Sequence, residues 1–116
     1  MAEPRVAAPP AEFDTYQLVI LRSPAQAPDL DDETTRLLFG QHLGHFANMS
    51  DAGHLMVSGP LSDQPDDALR GVCLYRVGSV EEARQLAEQD PAVQAGLFSV
   101  DVMTWRTAKG AVRFVR

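Results

Sequence analysis

Cysteine is nearly missing from this chain of 116 residues: Cys73 stands alone. One thiol permits neither an intrachain disulfide nor a cysteine metal cluster, and a reducing, cytoplasmic setting fits. Basic charge is scarce as well. Ten Lys and Arg against sixteen Asp and Glu leave a formal net charge of −6, which opposes a phosphate backbone, and no run of bases interleaved with aromatics occurs. Nucleic acid is therefore not expected as a partner. No apolar stretch reaches the roughly 18 to 20 residues that cross a bilayer, so no membrane partner is expected. Gly40, Gly44, Gly53, Gly59 and Gly71 have neither phosphate-loop nor dinucleotide spacing. No serine sits in a G-x-S-x-G elbow, which leaves covalent catalysis with little support. The three histidines, His42, His45 and His54, form no His-x-x-x-His or Glu-x-x-His pattern, so no metal and no organic cofactor is expected.

What is there is a regular alternation of strand and helix patterns. The length suits one domain able to bury its own core. Residues 1–12, rich in Ala and Pro, read as a disordered lead-in without the uninterrupted apolar stretch of a signal peptide; residues 13–107 read as the folded domain and 108–116 as a tail. Tyr16 to Leu21 predicts a strand that stops at Ser23-Pro24. The Asp31-Asp32-Glu33 cluster supplies a cap and negative charge for a helix running to about Ala52, with Gly53 as its left-handed stop. Leu55 to Ser58 is a short strand closed by Gly59-Pro60, and Gly71 to Val77 a third. Ser79 with Glu82 forms a capping box for a second helix that ends at or near Asp90-Pro91. A turn from Pro91 to Ala95 precedes a last strand, Leu97 to Trp105.

The order βαββαβ predicts an α+β, ferredoxin-like fold, two helices on one face of a four-stranded antiparallel sheet. The first and last strands carry apolar residues on both faces, Tyr16, Leu18 and Ile20 against Val19 and Leu21, and Phe98, Val100 and Val102 against Leu97, Met103 and Trp105. Two helices cover one face. A homodimer that buries the other is the simplest expectation, although the sequence leaves open which set faces the partner.

Two ionisable residues stand where apolar ones belong. At about 100° per residue, Leu38, Phe39, Leu43, Phe46 and Met49 share an arc from which His42 projects, and Val80, Ala83, Leu86 and Ala87 share one that takes in Asp90. Each also has an ordinary reading: His42 as a core imidazole bonded to a carbonyl, Asp90 as the N-cap of the turn at Pro91. Capping and pairing are compatible, because one carboxylate oxygen can accept a backbone amide while the other accepts an imidazole N–H. His45 falls toward the flank of the arc and reads as a rim residue beside a pocket. Ser58 and Gly59 stand at the pocket edge, where Ser58 could donate a hydrogen bond or be simply a small strand residue. His54 is expected exposed at the end of the sheet, and Cys73 inert.

The segment His42-Leu43-Gly44-His45-Phe46, then Gly53-His54-Leu55, Ser58-Gly59-Pro60, Asp90-Pro91 and Ala95-Gly96-Leu97 resembles the YciI-like (YCII-related) family over roughly Tyr16 to Trp105. The resemblance implies a dimeric α+β barrel of ferredoxin-like type with a candidate active site at His42 and Asp90. One relative of this type is a dehydrochlorinase of ring-cleavage products. The expected function is accordingly that of a small-molecule enzyme with a His-Asp dyad for cofactor-independent acid-base chemistry, an isomerase or dehydrochlorinase-like lyase acting on a small carbonyl compound or unsaturated acid. A non-catalytic ligand-binding or dimeric interaction module is the alternative. Arg22, Arg36 and Arg70 are the candidate clamps for an anionic substrate, and nothing in the sequence places them at the pocket.

Overall fold

A computed structural model describes residues 3–115. Its elements are β1 (Phe13–Arg22), α1 (Asp32–Asp51), β2 (Leu55–Pro60), β3 (Leu69–Tyr75), α2 (Val80–Ala87), α3 (Pro91–Gln94) and β4 (Ser99–Ala108). All pairings are antiparallel, in the order β2-β3-β1-β4. Placing β1 between β3 and β4 requires both crossovers to pass over the same face, and α1, α2 and α3 are the segments that do so. The expected ferredoxin-like α+β fold is the fold observed.

Register decides which residues meet the helices. Val19 lies opposite both Cys73 and Val102, and Leu21 opposite Gly71 and Val100. Side chains alternate along a strand, so these rows share one face, where Val19, Leu21, Leu55, Cys73 and Tyr75 bury against Ala83 and Ala87 of α2, with Val100 and Val102 packed alongside. Leu18, Ile20, Leu74, Met103 and Trp105 occupy the opposite face, which no helix covers. Gln17 is buried without penalty, because its Oε1 accepts the Val77 amide at 3.0 Å just past the end of β3.

Local chemistry sets the ends of the elements. The Asp31 side chain caps α1 by accepting the Thr34 amide at 2.6 Å, and Gly53 leaves the helix with φ +80°, a conformation that favours glycine. Ser79 Oγ accepts the Glu82 amide at 3.1 Å and the Glu82 carboxylate accepts the Gly78 amide at 2.9 Å. Several boundaries differ from expectation: β1 extends from Phe13 to Arg22, β3 runs from Leu69 to Tyr75 and not from Gly71 to Val77, β4 begins at Ser99 and not Leu97, and three further differences have a local cause. The helix α2 stops at Ala87, and Asp90 is extended (φ −62°, ψ 123°) as the cap of a separate α3, since the Pro91 ring disfavours helical geometry before it. Strand β2 takes in Gly59-Pro60, which an edge strand tolerates. Strand β4 runs on to Ala108 because β1 begins at Phe13 and supplies a partner, Phe13 opposite Ala108.

Residues 3–10 are exposed and belong to no element; residues 1 and 2 of the expected lead-in, and 116 of the tail, lie outside the described residues. The tail returns to the sheet. Lys109 Nζ approaches Glu12 Oε2 at 3.2 Å, Asp14 accepts the Gly110 amide at 2.8 Å, and Phe114 meets Tyr16 edge-on with ring centroids 5.8 Å apart.

Candidate functional site

Helix α1 presents His42 to the interior at 4 % exposure, and the cap of α3 presents Asp90 at 1 %. His42 Nδ1 and Asp90 Oδ2 are hydrogen-bonded. The other carboxylate oxygen, Oδ1, accepts the Ala92 amide at 2.9 Å and caps α3. One aspartate thus performs both tasks that its position before Pro91 allows, and the cap locks the carboxylate that orients the imidazole. With Nδ1 engaged, Nε2 is the ring nitrogen that Asp90 does not hold.

A cavity of about 410 Å³ is lined by His42 together with hydrophobic residues of α1 and the sheet, by Ser58, Gly59 and Pro60 of β2, and by Arg70, while Asp90 is sealed behind the imidazole. Three phenyl rings surround His42, with centroids at 4.3 Å for Phe46, 5.2 Å for Phe98 and 5.7 Å for Phe39. The wall is apolar and the polar groups are few, the usual composition of a small-molecule site. Glycine at 71 suits the close packing here: a Cβ would lie 3.2 Å from the Gly59 carbonyl oxygen, a tight contact, and 3.5 Å from Leu21.

His45 is not at the rim. It is buried at 8 % exposure, is absent from the cavity wall, and its Nε2 has no hydrogen-bond partner. Burial lowers its pKa, an effect that the nearby Asp90 carboxylate opposes and His42 reinforces. The reason for its position is the helix's rotation: the inward direction of α1 lies near Leu38, His42, His45 and Met49, turned by roughly 50° from the middle of the apolar arc. Phe39 and Leu43, at 50 % and 52 % exposure, therefore wall the cavity instead of filling the core. Ser58 and Gly59 do line the cavity, whereas His54, half-buried at the head of β2, does not. The thiol of Cys73 is pushed up to about 12 by burial and, secondarily, by Asp90, and the Tyr75 hydroxyl is also pushed up by burial; neither is a nucleophile or base near neutral pH. Among the described residues, no three His, Cys, Asp or Glu side chains come together as a metal-ligand set, and no helix is long and apolar enough to cross a membrane.

Residues 16–106 match the YCII-related domain. The chain belongs to the YCII-related family. This membership covers nearly the whole sheet and both crossovers, so the His-Asp pair and its cavity lie within the family domain. No functionally curated protein matches this chain significantly. Among solved structures, this YCII-related protein is similar to 5-chloro-2-hydroxyhydroquinone dehydrochlorinase from Burkholderia phenoliruptrix AC1100, determined in complex with 2,5-dihydroxybenzoquinone, with a TM-score of 0.50 and 20 % sequence identity over 78 % of this chain and 92 % of that one. At that identity the likeness establishes the shared fold.

Two features of the site have no signal in the sequence. Phe98 precedes β4 and meets His42 only through the fold. Arg70 is one of three equal candidates by sequence, and strand pairing alone brings it to the cavity. The ring partners of His42 on α1, Phe39 and Phe46, do carry a readable signal: they flank it three residues before and four after.

Proposed function

We propose that this YCII-related protein is a small-molecule enzyme that uses His42 and Asp90 for cofactor-independent general acid-base chemistry, as an isomerase or a dehydrochlorinase-like lyase acting on a small carbonyl compound or unsaturated acid. The observation that carries the reading is a buried His-Asp pair with its second ring nitrogen left over beside an open apolar cavity. A sealed pair with no cavity would have favoured a structural role.

His42 Nε2 removes a proton from a carbon next to a carbonyl, and Asp90 stabilises the resulting imidazolium. The electron pair of that C–H bond then has two fates. In isomerisation it shifts the double bond and the imidazolium returns its proton to another carbon. In elimination it forms a new double bond as chloride departs with the bonding pair, and the proton leaves with solvent. Burial at both residues strengthens the electrostatics of the pair relative to water. The structurally similar dehydrochlorinase performs a reaction of the second kind.

A homodimer and a cytoplasmic setting belong to the same reading. The open sheet face holds a largely apolar groove of about 360 Å³ among Leu18, Val57, Ser58, Val72, Leu74 and Trp105, and a second copy pressed face to face would cover it. The one cysteine, buried and inert, suits a reducing compartment.

Solvent exchange tests the chemistry whatever the pathway. Small keto acids, β,γ-unsaturated acids and chlorinated enols are incubated with the protein in D2O, and deuterium incorporation or loss of chloride is followed by NMR. Wild type should exceed His42→Asn by roughly 10²- to 10⁴-fold on at least one compound. Compounds that bind to the wild type yet exchange no faster than in buffer would make the protein a ligand-binding module.

A further inference from the structure

We infer that Arg70 is the docking group for a single carboxylate, and that the His42 cavity selects apolar, ring-sized monocarboxylates. The inference rests on the cavity being a ligand site, as proposed above, and adds the charge, number and placement of the group that the ligand must carry.

Arg70 is the one basic side chain, among the described residues, that lines this cavity besides His42 itself. The other cations are engaged or elsewhere. Arg5 lies in the exposed lead-in. Arg22 donates from Nε to Asp101 and lies 3.7 Å from Asp66. Arg36 lines a separate depression on the outer side of α1 with Glu33 and Gln41, and Arg76 and Arg113 line one beside Tyr16. Arg84 lies 3.7 Å from Glu88, Lys109 pairs with Glu12, and Arg106 stacks over the Phe13 ring at 5.0 Å. Arg70 has no carboxylate partner among the described residues. Arg70 is exposed to solvent, and its Nη1 donates at 3.3 Å to the Ser23 hydroxyl, a long bond to a neutral group, so that water and not a carboxylate of the described residues surrounds the guanidinium. In a chain of net charge −6, a solvent-facing guanidinium with no carboxylate partner among the described residues, at the mouth of an apolar cavity, is the feature that an anion would exploit, and the planar fork matches a carboxylate bidentately.

The rest of the wall limits the ligand. Leu21, Phe39, Leu43, Phe46, Pro60 and Phe98 offer no second cation and no acidic group. A second negative charge would meet apolar surface and lose its hydration uncompensated. An apolar cavity of about 150 Å³ holds one benzene, so about 410 Å³ admits a single ring with its substituents. With the carboxylate on Arg70, the ring lies among the phenyl groups that flank His42, and a carbon of the ligand is offered to Nε2.

Titrations with benzoate, its neutral isostere benzamide, and phthalate test this, monitored through the NMR signals of the His42 ring and the Arg70 guanidinium. Benzoate should bind and move both signals, benzamide should bind about tenfold or more weakly, and phthalate no tighter than benzoate. Arg70→Gln should weaken benzoate about tenfold and leave benzamide unchanged, and Arg70→Lys should restore part of the loss. Equal affinity for benzoate and benzamide, tighter binding of phthalate, an unaltered benzoate affinity in Arg70→Gln, or no movement of the cavity signals would each overturn the inference. The isostere comparison uses the unaltered protein, so it stands even if a variant fails to fold. His42→Asn separates the two readings: if it abolishes no exchange in D2O but still binds benzoate through Arg70, the acid-base mechanism fails while the carboxylate site holds.

Discussion

The two faces of the sheet are built from the same strands and consist of alternate residues, yet they do opposite things. On the helix-covered face Val19, Leu21, Cys73 and Tyr75 close a core that also accommodates an imidazole, a carboxylate and a cavity. On the open face Leu18, Val57, Leu74 and Trp105 line a groove in which Ser58 is the one polar residue, and Met103 and Trp105 are 42 % and 40 % exposed. The candidate site lies where helices can carry functional groups over the sheet, and the face without helices has mainly apolar area to offer. Neighbours in sequence, Val102 and Met103, belong to the two different surfaces.

That contrast can be broken most forcefully at Val102. Val102→Asp would place a carboxylate against the core beneath α2, at a cost of several kcal/mol, and should unfold the protein, read as loss of its cooperative thermal transition. A folded, fully stable Val102→Asp would mean that the assignment of faces is reversed.

Removing the buried carboxylate comes next. Asp90→Ala deletes the α3 cap and leaves His42 without its partner, with an expected loss of about 3 kcal/mol in chemical denaturation. Asp90→Asn retains the cap and should lose less, while suppressing the His42-dependent exchange in D2O. If the two variants are equally stable, capping at Asp90 contributes nothing.

One residue along the strand from Val102, Met103→Asp should leave the protomer's stability within about 0.5 kcal/mol and yet halve the mass seen by light scattering, from twice 12.7 kDa to 12.7 kDa. A wild-type protein that is already monomeric at micromolar concentration would remove the partner from the open face.

The smallest effect concerns His45, the second buried imidazole of α1. Its pKa is lowered in the folded state by burial, so the unfolded chain binds the proton more readily. Its unfavourable contribution is absent above the unfolded value of about 6.5 and develops as pH falls through that value toward the folded one. Stability should therefore decline on acidification in this window by at most about 1.4 kcal/mol per pH unit, and His45→Gln should flatten the slope in urea titrations between about pH 5 and 7.5. An unchanged slope would assign the acid sensitivity to other groups.

Much of this is legible in the chain. The βαββαβ order, the Ser79 cap, the Gly53 stop and the inward direction of both His42 and Asp90 follow from local rules, because periodicity and caps depend on residues within a turn or two of one another. The dual role of Asp90 is legible too, since the residue before a proline is extended and its carboxylate has two oxygens. The expectation that puts His45 at the rim fails for an equally local reason. It equates the apolar arc of α1 with the buried face, whereas Phe39 and Leu43 face a cavity, and a cavity wall and a core wall have the same composition.

By itself, then, the sequence determined the elements, their order, the βαββαβ topology they imply and the two groups that turn inward. Only the tertiary structure decided that those groups touch, that the imidazole fronts a cavity, that Phe98 joins it, and that Arg70 and not Arg22 or Arg36 lies at its edge. Propensity, capping and periodicity act over a few residues along the chain. Which residues meet across 48 positions, as His42 and Asp90 do, depends on strand register and on the rotation of each helix over the sheet, and both are settled only when the whole core packs.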